Sequence, residues 1–117
     1  MQTAQSAPAV PPGTTVVTMP AEVEYDNAGV TGAALAAALA SGATTVIADF
    51  STTTFCDTAG IREITIAHRA AQARGICFRL AVPRPLTRIF TTMGLDHVFT
   101  IYPSLAAALA APPVPRP

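Results

Sequence analysis

Apolar runs and Ala-rich segments of helical period alternate along the chain. TTVVTMP (14–20) is short and β-branched, so it predicts a strand that Pro20 stops. AEVEY, which follows, alternates weakly and either extends the sheet or forms an edge. Val30, Ala34, Leu35, Ala38 and Leu39 repeat at helical spacing, with Asp26 or Asn27 as the cap and Gly42 as the stop. TTVIADF (44–50) is continuously apolar apart from its ends, as a strand buried on both faces should be. A polar STTT then leads to FCDTAGIRE (55–63), and after Asp57 come Ile61, Ile64, Ala67, His68 and Ala71, one face of a helix ending near Gly75.

The pattern repeats in the second half. ICFRLAV (76–82) predicts another central strand, and Pro85 suits the first turn of a helix carrying Leu86, Ile89, Phe90 and Met93 up to Gly94. HVFTIY (97–102) predicts a short strand, and Pro103 opens a last helix with Leu105 and Leu109. Strand and helix thus alternate four times, which argues for α/β layering on a largely parallel sheet. The Pro-rich ends, residues 1–13 and 112–117, read as a flexible lead-in and a tail around one domain at 14–111.

Composition narrows the chemistry. The chain has 117 residues, 50% of them hydrophobic, so it is long and apolar enough to bury a core. Only 12% are charged, about half the usual share, which points to an exposed apolar area facing a partner or to a surface rich in Ala and Thr. Net charge is zero, with acids concentrated in the first 50 residues and arginines after them. No basic stripe with interleaved aromatics marks a nucleic-acid surface. No apolar run reaches the roughly 18 residues of a membrane span, and the N-terminus lacks the regions of a signal peptide, so a cytoplasmic protein is expected.

Lysine is absent, which excludes Schiff-base and P-loop lysine chemistry. Asp57-Thr58-Ala59-Gly60 fits the D-x-x-G pattern of GTPases, but the phosphate loop that must accompany it needs that lysine. Cys56 and Cys77 show no metal spacing and read as small buried apolar residues. A Cys56 nucleophile would need His68 or His97 as base, and neither spacing signals one. No metal and no cofactor is expected.

The strand-to-helix junction at 55–63 is the richest stretch. Asp57 or Thr58 can cap the helix by accepting from its free N–H groups, and that alone explains an acid and a hydroxyl there. The same geometry holds a hydroxyl at the sheet edge near solvent. A phosphate on Thr58 would bring about −1.5 to −2 charges. The helix N-terminus accommodates such an anion, Asp57 repels it, and a partner packed on the turn would be displaced.

These residues carry a family resemblance. The run TTVIADFSTTTFCDTAGIREITIAHRAAQARG resembles the central segment of STAS domains, specifically of bacterial anti-sigma factor antagonists, whose strand ending in Asp leads through a loop to F-x-D-S-[ST]-G; here these are Asp49, Phe55, Asp57, Thr58, Ala59 and Gly60. Met93-Gly94-Leu95, the segment Tyr102 to Leu109, and PAEVEYDNAG upstream resemble the family as well, so the likeness spans about residues 14–111. It implies an α/β fold with a mixed, mostly parallel sheet of four to five strands flanked by four helices. It implies no catalysis by this chain. The implied partner is an anti-sigma factor with serine/threonine kinase activity, sequestered while Thr58 is free and released when Thr58 is phosphorylated, with a phosphatase acting on Thr58 as a further partner. Asp57, Thr58, Ala59, Gly60 and Ile61 would line the contact surface, and Glu22, Glu24 and Asp26 would border it. Thr58 stands where Ser is commoner, and Ala59 leaves it the single acceptor of the motif. The alternatives are a STAS scaffold or subunit that does not switch, and an enzyme built on Cys56 or Asp57.

Overall fold

The computed structural model describes residues 9–112. Six strands and four α-helices follow in chain order: β1 Thr14–Thr18, β2 Glu22–Val23, α1 Ala28–Leu39, β3 Thr45–Asp49, β4 Phe55–Cys56, α2 Thr58–Arg74, β5 Cys77–Ala81, α3 Arg84–Thr92, β6 Thr100–Tyr102 and α4 Leu105–Ala110. The main sheet runs β1-β3-β5-β6 with every pair parallel, and β2 and β4 form a separate parallel pair. The expected parts of the Pro-rich ends at 1–8 and 113–117 lie outside the described residues.

Each main-sheet strand adds beside the last, so the chain winds in one direction and its crossover helices gather on one face. Val46 and Ala48 of β3, with Phe78 and Leu80 of β5, pack there against Leu35, Leu39, Ile64, Ala67, Leu86 and Phe90. Ile47 and Ala81 point the other way and meet Ala108 of α4, flanked by Val16, Tyr102, Leu105 and Leu109. Strand alternation explains the split, since successive side chains leave opposite faces. β3 is buried along its whole length because helices cover both sides. Arg79 is buried beneath α4, where Nη1 donates to the Ala108 carbonyl at 2.8 Å and Nη2 to the Pro112 carbonyl at 2.9 Å. Those bonds fasten the end of α4 to the sheet and engage both terminal nitrogens, while the buried Nε has no hydrogen-bond partner among the described residues.

Several expected details differ. The inward face of α1 is Ala28, Thr31, Leu35, Ala38 and Leu39, while Val30, expected inside, is 75% exposed. A helix apolar all round carries no phase signal, so only its neighbours decide which side is buried. Ile89 of α3 and Met93 at its C-cap also lie outward, and the buried residues of α3 are Leu86 and Phe90. The strand expected at 97–102 is shorter. Gly94 turns left-handed at φ 75°, Leu95–His97 form one turn of 3-10 helix, and the strand begins at Thr100. Cys77 is half-buried, not buried. AEVEY joins neither edge of the main sheet; its Glu22 and Val23 pair with Phe55 and Cys56, a strand that nothing in the polar STTT run announces.

Candidate functional site

The small β2-β4 pair builds the junction. Val23 lies opposite Cys56, and Asp57 N–H donates to the Val23 carbonyl at 2.9 Å. Thr53 Oγ1 donates to the Pro20 carbonyl at 2.8 Å, and Thr54 N–H to that of Ala21, also at 2.8 Å. The acidic segment Glu22–Asp26 is thereby held against the loop that starts α2.

Asp57, left open with Thr58 as the cap, is the N-cap. Its extended backbone and its Oδ1, accepting from Gly60 N–H at 3.0 Å, close the first turn of α2. Its Oδ2 accepts from Tyr25 N–H, also at 3.0 Å. One carboxylate therefore ties the acidic segment to the helix start. At α1 the capping position is Asn27, not Asp26, but its side chain does not cap that helix. Instead Oδ1 accepts from Glu24 N–H and Nδ2 donates to the Glu22 carbonyl, which folds the segment into a tight turn.

Thr58 follows the cap as the first helical residue and is exposed. Ala59 and Ile61 are half-buried beside it. Gly60 is buried, so its side of the turn faces the protein and not solvent. A Cβ at Gly60 would stand 2.6 Å from Val23 Cγ1 and 2.9 Å from Cys56 Sγ, so the glycine lets the helix start sit on the β2-β4 pair.

Glu22 and Asp26 are exposed, Glu24 and Asp57 half-buried. Among the described residues none of these four carboxylates forms a salt bridge. Partial burial, helped by the charges of Glu22, Asp26 and Asp57, pushes the Glu24 carboxyl above the usual carboxylate range. The rim is thus a concentrated negative field. Between the starts of α1 and α2 lies a groove of about 620 Å³, lined by Tyr25, Asp26, Ala28, Gly29, Ala59, Arg62 and Glu63.

Two residues here were not singled out as contact candidates. Tyr25 is 82% exposed at the tip of the acidic turn, and Phe55 is 46% exposed beside Glu22. An aromatic set between acids, as in E-Y-D, is the signal that it stands outward, since burying it would drag charge inside.

The enzyme alternative finds little here. Cys56 is buried, and burial with the nearby Asp57 charge pushes its thiol up to about 12, which removes the thiolate at neutral pH. His68 of α2 is half-buried and packs against Phe78 and Phe99, with ring centroids at 6.4 and 5.3 Å. Among the described residues no group of three or more His, Cys, Asp or Glu is placed to hold a metal ion, and no helix is long and apolar enough to cross a membrane.

A family model for the STAS domain matches residues 6–108. The chain belongs to the STAS domain family. Among solved structures this STAS domain is similar to an anti-sigma factor antagonist from Mycobacterium paratuberculosis, at 24% identity and TM-score 0.77 over 86% of each chain. It is similar also to the Bacillus cell fate determinant SpoIIAA in its phosphorylated form, at 25% identity and TM-score 0.60 over 80% of this chain and 86% of that one. A sulfate transporter family protein from Wolinella succinogenes shares the fold at 16% identity and TM-score 0.71, over 87% of this chain and 86% of that one. A comparison with curated proteins finds no significant match. The α/β architecture with four helices on a parallel sheet is that of anti-sigma factor antagonists.

Proposed function

We propose that this STAS domain is an anti-sigma factor antagonist without catalysis of its own, and that Thr58 is its switch. In its free form it binds a cytoplasmic anti-sigma factor that is also a serine/threonine kinase. That partner supplies ATP and transfers its terminal phosphoryl group to Thr58 Oγ1. The bond to ADP breaks as the new P–O bond forms, and the hydroxyl proton leaves to a base on the kinase. The complex then separates, and a phosphatase restores the hydroxyl.

The observation that carries this reading is an exposed hydroxyl at the first position of α2, beside a cap whose carboxylate is already engaged on both oxygens. A phosphate there sits next to Asp57 and above the unpaired acids of Glu22–Asp26. Like charges at this range repel, and the field strengthens once a partner excludes water. The partner surface that fits the free form carries basic side chains for that rim and an apolar seat for Tyr25, a residue type favoured at the centre of interfaces. The similarity to SpoIIAA, described in a phosphorylated form, supports the same reading.

The test is capture of partners on the chain, followed by incubation with ATP and magnesium and intact-mass analysis. The expected result is one added phosphate on Thr58 together with release of the captured kinase. A kinase that stays bound after Thr58 is phosphorylated would overturn the switch.

A further inference from the structure

Thr58 and Arg62 stand one turn apart on α2, and both are exposed. At about 100° per residue, Arg62 lies about 40° around the helix from Thr58 and about 60° from Ala59. Ala59 and Arg62 both line the groove at the helix starts. Arg62 is thus set between the hydroxyl and the groove. Side chains four positions apart are neighbours, with Cβ atoms about 5–6 Å apart. A helical side chain also leans back toward the N-terminus, which brings the reach of Arg62 over the Thr58 position.

No acid has claimed this arginine. Among the described residues Arg62 forms no salt bridge. Its sequence neighbour Glu63 turns away, its carboxylate lying against Gly32 of α1 in the space a Cβ would take. Asp57 is held in place by the N–H groups of Gly60 and Tyr25. The charged residues that line the groove are Asp26, Arg62 and Glu63, so Arg62 is its cation.

We propose that Arg62 receives, within the same chain, the phosphate carried by Thr58; this rests on Thr58 being the phosphorylation site. The anion stands four positions N-terminal to the cation, which is the favoured order for a helical ion pair. The guanidinium offers two parallel N–H donors to phosphate oxygens. Asp57 repels the phosphate from one side and Arg62 draws it from the other, so the phosphothreonine lies along α2. Phosphorylation then changes the surface twice. It adds negative charge at the start of α2, and it withdraws the cation of the groove, leaving Asp26 and Glu63 as the charged lining. Arg62 is a positioning residue for the modified state and has no such bond to make before the phosphate arrives.

The full chain synthesised with phosphothreonine at position 58 tests this. The unmodified chain and the Arg62→Gln form of each complete a four-protein cycle, read by thermal unfolding. The cycle subtracts whatever Arg62 contributes without phosphate. Arg62→Gln should lower the midpoint by about 1–3 °C more in the phosphorylated protein than in the unmodified one at low salt. That difference should shrink toward zero by about 1 M NaCl. Arg62→Lys should keep part of it, since the charge remains and the fork is lost. Equal losses with and without phosphate would overturn the proposal, as would a difference that salt leaves unchanged. The phosphate is placed by synthesis, so the outcome does not depend on any kinase. A kinase that stays bound to the phosphorylated chain would overturn the switch and leave the Thr58–Arg62 pair standing.

Discussion

The Asp57 carboxylate accepts the backbone N–H of Tyr25 at 3.0 Å, across 32 positions of sequence, while its other oxygen caps Gly60 at the same distance. Cap and tether are thus one group, and its loss should be felt at both ends. Asp57→Ala is expected to lower stability by about 1–3 kcal/mol, the cap contributing about 0.5–2 of it. Asp57→Asn should fall between, since it keeps an acceptor for Gly60 and turns a donor toward the Tyr25 N–H. Urea unfolding of the three proteins checks the order. Amide exchange at Tyr25 should rise in both variants, and unchanged protection there would show that the tether contributes nothing.

Gly60 is the second contact on which the junction depends. The Cβ of Gly60→Ala would meet Val23 Cγ1 at 2.6 Å and Cys56 Sγ at 2.9 Å, both on the buried residues of the β2-β4 pair. Overpacking of this kind costs about 1–3 kcal/mol. Pairing it with Val23→Ala should recover part of the loss relative to the sum of the single changes, because the second substitution removes the clashing methyl. Denaturation midpoints of the four-protein cycle measure that coupling.

Thr58 should be silent for stability and decisive for binding. Its side chain is exposed, so Thr58→Ala and Thr58→Glu are expected to unfold within about 0.5 kcal/mol of the parent. Against the captured anti-sigma kinase, Thr58→Ala should bind without responding to ATP, and Thr58→Glu should lose most affinity. Calorimetry with the isolated partner separates these cases, and tight binding by Thr58→Glu would remove the electrostatic basis of release.

His68 gives the fold an acid sensitivity. Its Nδ1 is buried without a hydrogen-bond partner, against Phe78 and Phe99. Burial, helped by the Arg69 charge, holds its imidazole below the ordinary histidine range of about 6.5. A depressed folded value means that the neutral ring favours the folded state. The stabilisation is complete above the unfolded value and is lost as pH falls through the folded one. Stability measured from pH 7 down to pH 5 should therefore decline in the parent and decline less in His68→Phe. Equal slopes for the two proteins would place the acid sensitivity elsewhere.

Much of this molecule is legible in its residue pattern. Runs such as TTVIADF and ICFRLAV read as buried strands, because they are short and apolar side chains dominate both of their faces, Arg79 excepted. D-T-A-G a few residues after such a run signals a capped helix start, since an acid or a hydroxyl there satisfies the free N–H groups of the first turn. Local chemistry settles these features, so a local reading finds them. The rest needed the chain folded. Val30 turns outward because α1 is apolar on every side, and only its contacts with α2 and the sheet select a face. The β2-β4 pair joins two-residue segments too short to carry a period, brought together by closure of the loops around them. That Asp57 caps the helix shows in its extended backbone and its bond from Gly60 N–H, and that the same carboxylate also holds Tyr25 depends on a backbone N–H distant in sequence. Residue type determined which groups could bond; only the tertiary arrangement determined which of them met.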